Sequence, residues 1–224
     1  MRAMILAAGR GERMRPLTDH TPKPLLEAGG KSLIGYHLES LRRGGFNRVV
    51  INLAHLGDQI RSALGDGSRW GLSLTYSQEP EGALDTGGGI RRALPLLGDA
   101  PFLVVNADIW TDFPLIQGFP QGDALAHLVL VSNPPYHDQG DFALNGNRVS
   151  SDGSPRFTFS GIGYYRPELF SGIPEERFAL APLLRRAMDR SAVSGERYCG
   201  PWVDVGTPAR LREVDRLVTS ALSK

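Results

Sequence analysis

Apolar residues along this chain fall into short runs that alternate with stretches at helical spacing. The first run, residues 3–8, is bounded by Gly9 and reads as a buried strand. Residues 32–43 carry Leu33, Ile34, His37, Leu38 and Leu41 at helical spacing, with Ser32 to cap the start and Gly44-Gly45 to stop the helix. Arg48–Leu53 predicts a second buried strand, and 55–64 a short helix ended by Gly65. Residues 72–77 alternate apolar and polar, as a half-buried strand does. A helix is expected over 87–97, its start weakened by three glycines, and then a strand over 102–108 that ends in a carboxylate. Strands separated by helices imply right-handed crossovers and a mostly parallel sheet.

The second half has a different rhythm. Residues 124–131 read as a strand, 142–149 as a hairpin turning at Asn145-Gly146, and Arg156–Tyr165 as another strand. Leu180–Asp189 and Pro208–Leu222 are amphipathic helices. The last has Thr207 at the N-cap and Pro208 at the first helical position, with Leu211, Val214, Leu217, Val218 and Ala221 expected to face one way. The Pro- and Gly-rich stretch 113–122 reads as a loop rather than a boundary.

Composition removes several classes. The 224 residues carry 25 Lys and Arg against 24 Asp and Glu, a net charge of +1. No global field invites nucleic acid or an anionic membrane. Cys199 is the one cysteine, so no intramolecular disulfide can form and a reducing, cytoplasmic location is expected. The N-terminal apolar run ends at Ala8 and continues into Gly-Arg, unlike a secretory leader. No apolar stretch approaches the ~20 residues of a membrane span.

The candidate chemistry centres on the loop after the first strand. Gly9 and Gly11 permit close approach of backbone N–H groups to a ligand, and such groups in succession form an anion nest. Arg10, Arg13, Arg15 and Lys23 add positive charge within one short segment. Together they describe a polyphosphate cradle. A dinucleotide fingerprint would need a third glycine where Met14 stands. A Walker loop ending at Gly30-Lys31-Ser32 would need its first glycine at Leu25. Ligands of open α/β sheets bind beyond the carboxyl ends of strands, where both the cradle and Asp108 are expected.

What remains resembles the signature of the sugar-1-phosphate nucleotidyltransferases, L-A-A-G-x-G-T-R-L-x-P-L-T followed by P-K-P. It matches at Leu6, Ala7, Ala8, Gly9, Gly11, Arg13, Pro16, Leu17, Thr18 and Pro22-Lys23-Pro24, with Glu12 for the usual Thr and Met14 for Leu. The resemblance implies an α/β fold of Rossmann-like type, a mostly parallel mixed central sheet flanked by helices. It implies a single domain over 1–224, with a nucleotide half over about 1–110 and a sugar half over about 111–224, and no length for the C-terminal acyltransferase domain of some relatives. Within the family the chain is most similar to the short bacterial members that join UTP to N-acetylmuramic acid 1-phosphate in cell-wall sugar recycling. Members using GTP and mannose-1-phosphate are the alternative.

The resemblance also assigns roles. The W-x-D-x-G-T element at Trp202 to Thr207 contributes Asp204, which with Asp108 would hold Mg²⁺. Arg13 and Lys23 would hold phosphates, with Ala8, Gly9, Gly11 and Glu12 lining the nucleotide cradle. Gln78, Glu79 and Gly82 lie in the expected base-reading segment, where Asp85 replaces a glycine common in the family. Asn106 and Gly140 are the sugar-contact candidates, although Gln139 replaces the family's tyrosine and its E-K-P motif is missing. The partners implied are a nucleoside triphosphate and a sugar-1-phosphate. A non-catalytic sensor would be expected to have lost these carboxylates or the lysine, and a glycosyltransferase to carry Asp-x-Asp, which Asp108-Ile109-Trp110 does not.

Overall fold

The computed structural model describes residues 1–80, 84–120 and 122–222. The first apolar run forms β1 (Arg2–Leu6), followed by a small hairpin of β2 (Glu27–Ala28) and β3 (Lys31–Ser32). Then come α1 (Leu33–Arg43), β4 (Arg48–Leu53), α2 (Gly57–Leu64), β5 (Ser73–Gln78), α3 (Asp85–Leu97) and β6 (Phe102–Asn106). The remainder comprises β7 (Ile109–Thr111), β8 (Ala126–Val131), β9 (Phe142–Asn145), β10 (Arg148–Ser150), β11 (Arg156–Tyr165), α4 (Leu180–Asp189), β12 (Val193–Tyr198), β13 (Trp202–Asp204) and α5 (Pro208–Leu222).

Among the described residues the main sheet has nine strands, in the order β5-β4-β1-β6-β11-β8-β12-β10-β9. β10 and β11 run against the other strands. β9 also pairs with the start of β11, so the far end of the sheet curls back on itself. The chain winds outward from β1 through β4 to β5, then crosses to β6 on the other side of β1. That reversal makes a switch point between β1 and β6, where a crevice opens beyond the strand ends.

Alternation within the buried strands divides the core. Ala3 and Ile5 of β1 pack with α1 and α2 through Ile34, Leu38, Leu41, Ile60 and Leu64. Met4 faces the other way, toward Ile90, Ala93 and Leu97 of α3 and Leu183 and Leu184 of α4. Strands buried on both faces read as continuous apolar runs, which is why β1, β4 and β6 are so apolar. A third cluster ties the N-terminal loop to the C-terminal helix: Met14, Leu26, Leu33, Val203, Val205, Val214 and Val218.

Several local expectations hold in detail. Ser32 caps α1, its Oγ accepting from Gly35 N at 3.3 Å, and Thr207 Oγ1 accepts from Arg210 N at 3.4 Å at the start of α5. Others shift. The hairpin loop is Gly146-Asn147, one residue later than expected, because β9 and β10 pair at Asn145 and Arg148 and Gly146 supplies φ +59°. Leu217 of α5 is 41% exposed rather than part of the apolar face, and the side chain of Ala221 lies outside the described residues. The sequence pattern missed β12, whose polar alternation Val-Ser-Gly-Glu-Arg-Tyr sits between two partners. It also missed β7 and β13, three residues each, which pair antiparallel.

Candidate active site

Four parallel strands end at one edge, and the loops that follow them enclose a cavity of about 460 Å³. Ala8, Gly9, Gly11, Glu12, Arg13, Lys23, Glu79, Asn106 and Asp108 all lie on its wall. Fold topology therefore brings the glycine loop, the Pro-Lys-Pro segment and the strand-end aspartate together across about a hundred residues of chain.

The glycine loop is held by its own backbone. Gly11 takes φ +67°, a conformation that costs a residue with Cβ roughly 1–2 kcal/mol. Its carbonyl accepts from Met14 N at 2.8 Å and from Thr18 Oγ1 at 2.8 Å. A Cβ at Gly11 would come within 3.0 Å of Thr18 Cγ2 and 3.2 Å of Lys23 Cβ, so this glycine lets the loop lie directly on the lysine. Lys23 is 7% exposed, and its Nζ donates to Asp108 Oδ2 at 2.7 Å.

Asp108 and Asp204 are brought side by side by the short strands. Asp204 pairs with Ile109 across β13 and β7, and Val205 N donates to the Asp108 carbonyl at 2.8 Å. Asp204 stands beside the cavity rather than on its wall, which Gly206 reaches. Its Oδ2 accepts from Arg210 Nη1 at 2.8 Å. Two aspartates on neighbouring backbone, each with one oxygen bonded to a cation, form a donor set that suits Mg²⁺, which takes one or two carboxylates and completes its shell with phosphate oxygens and water. Among the described residues no group of three or more His, Cys, Asp or Glu gathers into a protein-only metal cage.

The opposite wall rests on a residue that sequence reasoning passed over. Asn52 is 3% exposed at the end of β4; its Oδ1 accepts from Ala7 N at 2.7 Å and its Nδ2 donates to Glu79 Oε1 at 2.6 Å. The other Glu79 oxygen accepts from Leu84 N at 2.8 Å. The one signal for Asn52 was an amide within an otherwise apolar run. Asp85 and Thr86 at the start of α3 also line the cavity. Asp85 adopts φ +61°, the left-handed conformation that a glycine would take freely.

Two expected residues fall elsewhere. Gln78 is off the cavity wall; its amide turns back on the carbonyls of Leu53, at 3.4 Å, and Glu79, at 3.3 Å. Gly140 is buried with φ +63°, and a Cβ there would meet Asn133 Oδ1 at 2.7 Å, so it packs against that asparagine, off the cavity wall. Gly82 lies outside the described residues. Asn106, by contrast, is on the wall and fits under the β11 bulge, where Gly161 takes φ +82° close to its amide. Beneath the Asp108 turn, His37 of α1 is fully enclosed and hydrogen-bonded to the Ile109 backbone; burial pushes its imidazole down to about 4.

A switch-point crevice walled by a glycine loop, a buried lysine and a strand-end aspartate is the candidate active site, and comparison with known proteins gives the family. The nucleotidyl transferase family model matches residues 2–144. A relative from Neisseria meningitidis serogroup B, named N-acetylmuramate alpha-1-phosphate uridylyltransferase, is 54% identical over 97% of this chain and 98% of its own length. A Caulobacter vibrioides relative of the same name is 35% identical over 96% of each chain. The solved structure of the inositol-1-phosphate CTP transferase from T. maritima superposes with a TM-score of 0.81 at 20% identity, over 97% of this chain and 94% of that one. The chain belongs to the nucleotidyl transferase family.

Proposed function

We propose that this chain joins UTP to N-acetylmuramic acid α-1-phosphate, giving UDP-N-acetylmuramic acid and pyrophosphate, in the cytoplasmic recycling of cell-wall sugars. The observation that carries this choice of substrates is the 54% identity, over nearly the whole of both chains, to the Neisseria relative whose name states them. The cavity supports the reaction class. A phosphate oxygen of the sugar attacks the α-phosphorus, the bond from that phosphorus to the β-phosphate bridging oxygen breaks, and pyrophosphate leaves. The attacking oxygen is already ionised, so no side chain has to remove a proton from it.

The task of the chain is to hold two polyanions together and to stabilise charge on the leaving group. Lys23 would supply a fixed charge at the reacting phosphates, its position set by the flanking prolines and the bond to Asp108. Arg13 would take the β- and γ-phosphates through its planar fork. Backbone N–H groups from Ala8 to Gly11 would cradle the same oxygens. The backbone near Ala8, with Glu79 beside it, would meet the base edge, and Asn106 would meet the sugar. Asp108 and Asp204 would hold Mg²⁺, which when bound neutralises phosphate charge.

The test is pyrophosphate release by the purified chain with Mg²⁺, run as a matrix of nucleoside triphosphates against sugar-1-phosphates. Turnover confined to UTP with the muramic sugar is the expected result. Turnover with GTP and mannose-1-phosphate would keep the chemistry and replace the substrates. Silence across the matrix with nucleotide binding intact would overturn the enzyme reading.

A further inference from the structure

Two carboxylates and three cations meet at the rim of the cavity. Lys23 pairs with Asp108 at 2.7 Å and Arg210 with Asp204 at 2.8 Å, and the side chains of Lys23, Arg210 and Asp204 are 8%, 13% and 24% exposed. Arg13 has no carboxylate partner among the described residues. Its guanidinium and that of Arg210 nevertheless both border Gly206: a Cβ built there would stand 2.9 Å from Arg13 Nη2 and closer still to Arg210 Nη2. Like charges crowded over one glycine repel, and Asp204 offsets only one of them. Gly206 and Arg13 both lie on the cavity wall, so the surplus positive charge borders the space where a polyphosphate would lie. Arg210 is otherwise fixed by Thr207 Oγ1, 3.4 Å from its Nε, and by the Tyr136 ring, whose centroid is 4.2 Å from its Cζ.

We propose that Arg210 is a second arginine for the pyrophosphate end of the nucleotide and that Asp204 is its counter-ion until that anion arrives. This rests on the nucleotidyl-transfer reading of the cavity. A pyrophosphate group held between Arg13 and Arg210 draws Arg210 away from Asp204, and the freed carboxylate becomes a hard ligand for a divalent cation. Asp204, with its side chain 24% exposed, is costly to strip of its cation, so each ligand favours the other, and the coupling is reciprocal.

The test uses two probes separately on the purified full chain: Mn²⁺ alone, followed by its paramagnetic resonance signal, and inorganic pyrophosphate alone in chelator, followed by calorimetry. Arg210→Gln is expected to weaken pyrophosphate about fivefold or more and to tighten Mn²⁺ by a similar factor, within the range of ordinary site coupling. Opposite shifts cannot come from general damage, which weakens both. Arg210→Lys keeps the charge but not the fork; it should move both constants the same way by less, and it serves if Arg210→Gln does not fold. Unchanged pyrophosphate binding, or weakening of both ligands, overturns the inference. Wild-type protein that binds no pyrophosphate, with or without Mn²⁺, also overturns it, whereas the nucleotidyl-transfer reading falls only with a silent substrate matrix.

Discussion

His37 offers a quantitative check on how well the floor of the site is sealed. The side chain is 3% exposed, donates to the Ile109 backbone carbonyl and leaves Nε2 without a partner. Burial lowers its pKa from 6.5 to about 4, against the opposing pull of the Ile109 bond and the Asp108 charge. Between those two values the unfolded chain holds a proton that the folded chain does not, so stability rises with pH across this window. Equivalently, stability is lost as pH falls from about 6.5, and the loss approaches about 3 kcal/mol near pH 4. His37→Leu removes this proton. It also leaves the Ile109 carbonyl unpaired, a cost of about 1–3 kcal/mol that does not change with pH. Urea unfolding, followed by tryptophan fluorescence from pH 4 to pH 8, separates the two effects. Other groups titrate in both proteins and cancel in the difference. The variant should start less stable at pH 7 and gain on the wild type by about 2–3 kcal/mol as pH falls to 4. Parallel stability curves would refute the reasoning, because they would mean that His37 takes up its proton in the folded chain as easily as in the unfolded one.

Three further outcomes follow from named contacts. Lys23→Ala should lower turnover at saturating substrate by on the order of 10²-fold or more, as loss of one preorganised donor does; steady-state pyrophosphate release checks it, and a loss under about threefold would remove Lys23 from the transition state. Gly11→Ala forces a side chain into φ +67° and against Lys23 Cβ, so it should cost about 1–2 kcal/mol in denaturant unfolding and weaken pyrophosphate binding measured by calorimetry. Asn52→Leu strands the buried Ala7 N–H and the Glu79 carboxylate and should cost about 2–4 kcal/mol in the same unfolding assay, whereas a cost under about 1 kcal/mol would mean that water satisfies both groups.

The readable parts of this chain are those where one periodicity runs long enough to fix an element. Leu180–Asp189, Pro208–Leu222 and Arg156–Tyr165 stand where their spacing puts them. The glycine loop was legible because its chemistry is local: two glycines, three arginines and a lysine in one segment. Asp204 was reached only through a family resemblance, since β7 and β13 are three residues each and carry almost no period. The approach of both Arg13 and Arg210 to Gly206 could not be read at all, because it depends on α5 packing back on Met14 through Val214 and Val218. Gln78 failed for a simpler reason. It closes an edge strand, and there its amide finds nearer acceptors in the carbonyls of Leu53 and Glu79 than anything in the cavity.

The wall opposite the glycine loop shows why a helix forms where local propensity opposes it. Three glycines in the first turns of α3 cost up to about 1 kcal/mol each against alanine, and Asp85 before them sits in a left-handed conformation. Side chains at these glycines would collide with what the helix packs on: a Cβ at Gly89 would stand 2.6 Å from Glu79 Oε1 and 3.0 Å from Asn52 Nδ2. Their absence lets α3 close over Asn52 and Glu79, which would otherwise lie open to water. The result is an unbroken chain of bonds from Ala7 N through Asn52 and Glu79 to Leu84 N. It ties the root of the glycine loop to the segment expected to read the base. A shift at either end must break a buried hydrogen bond or move the other end with it. The weak helix start is thus tolerated because it lets α3 cover the buried bonds that join the glycine loop to the segment after β5.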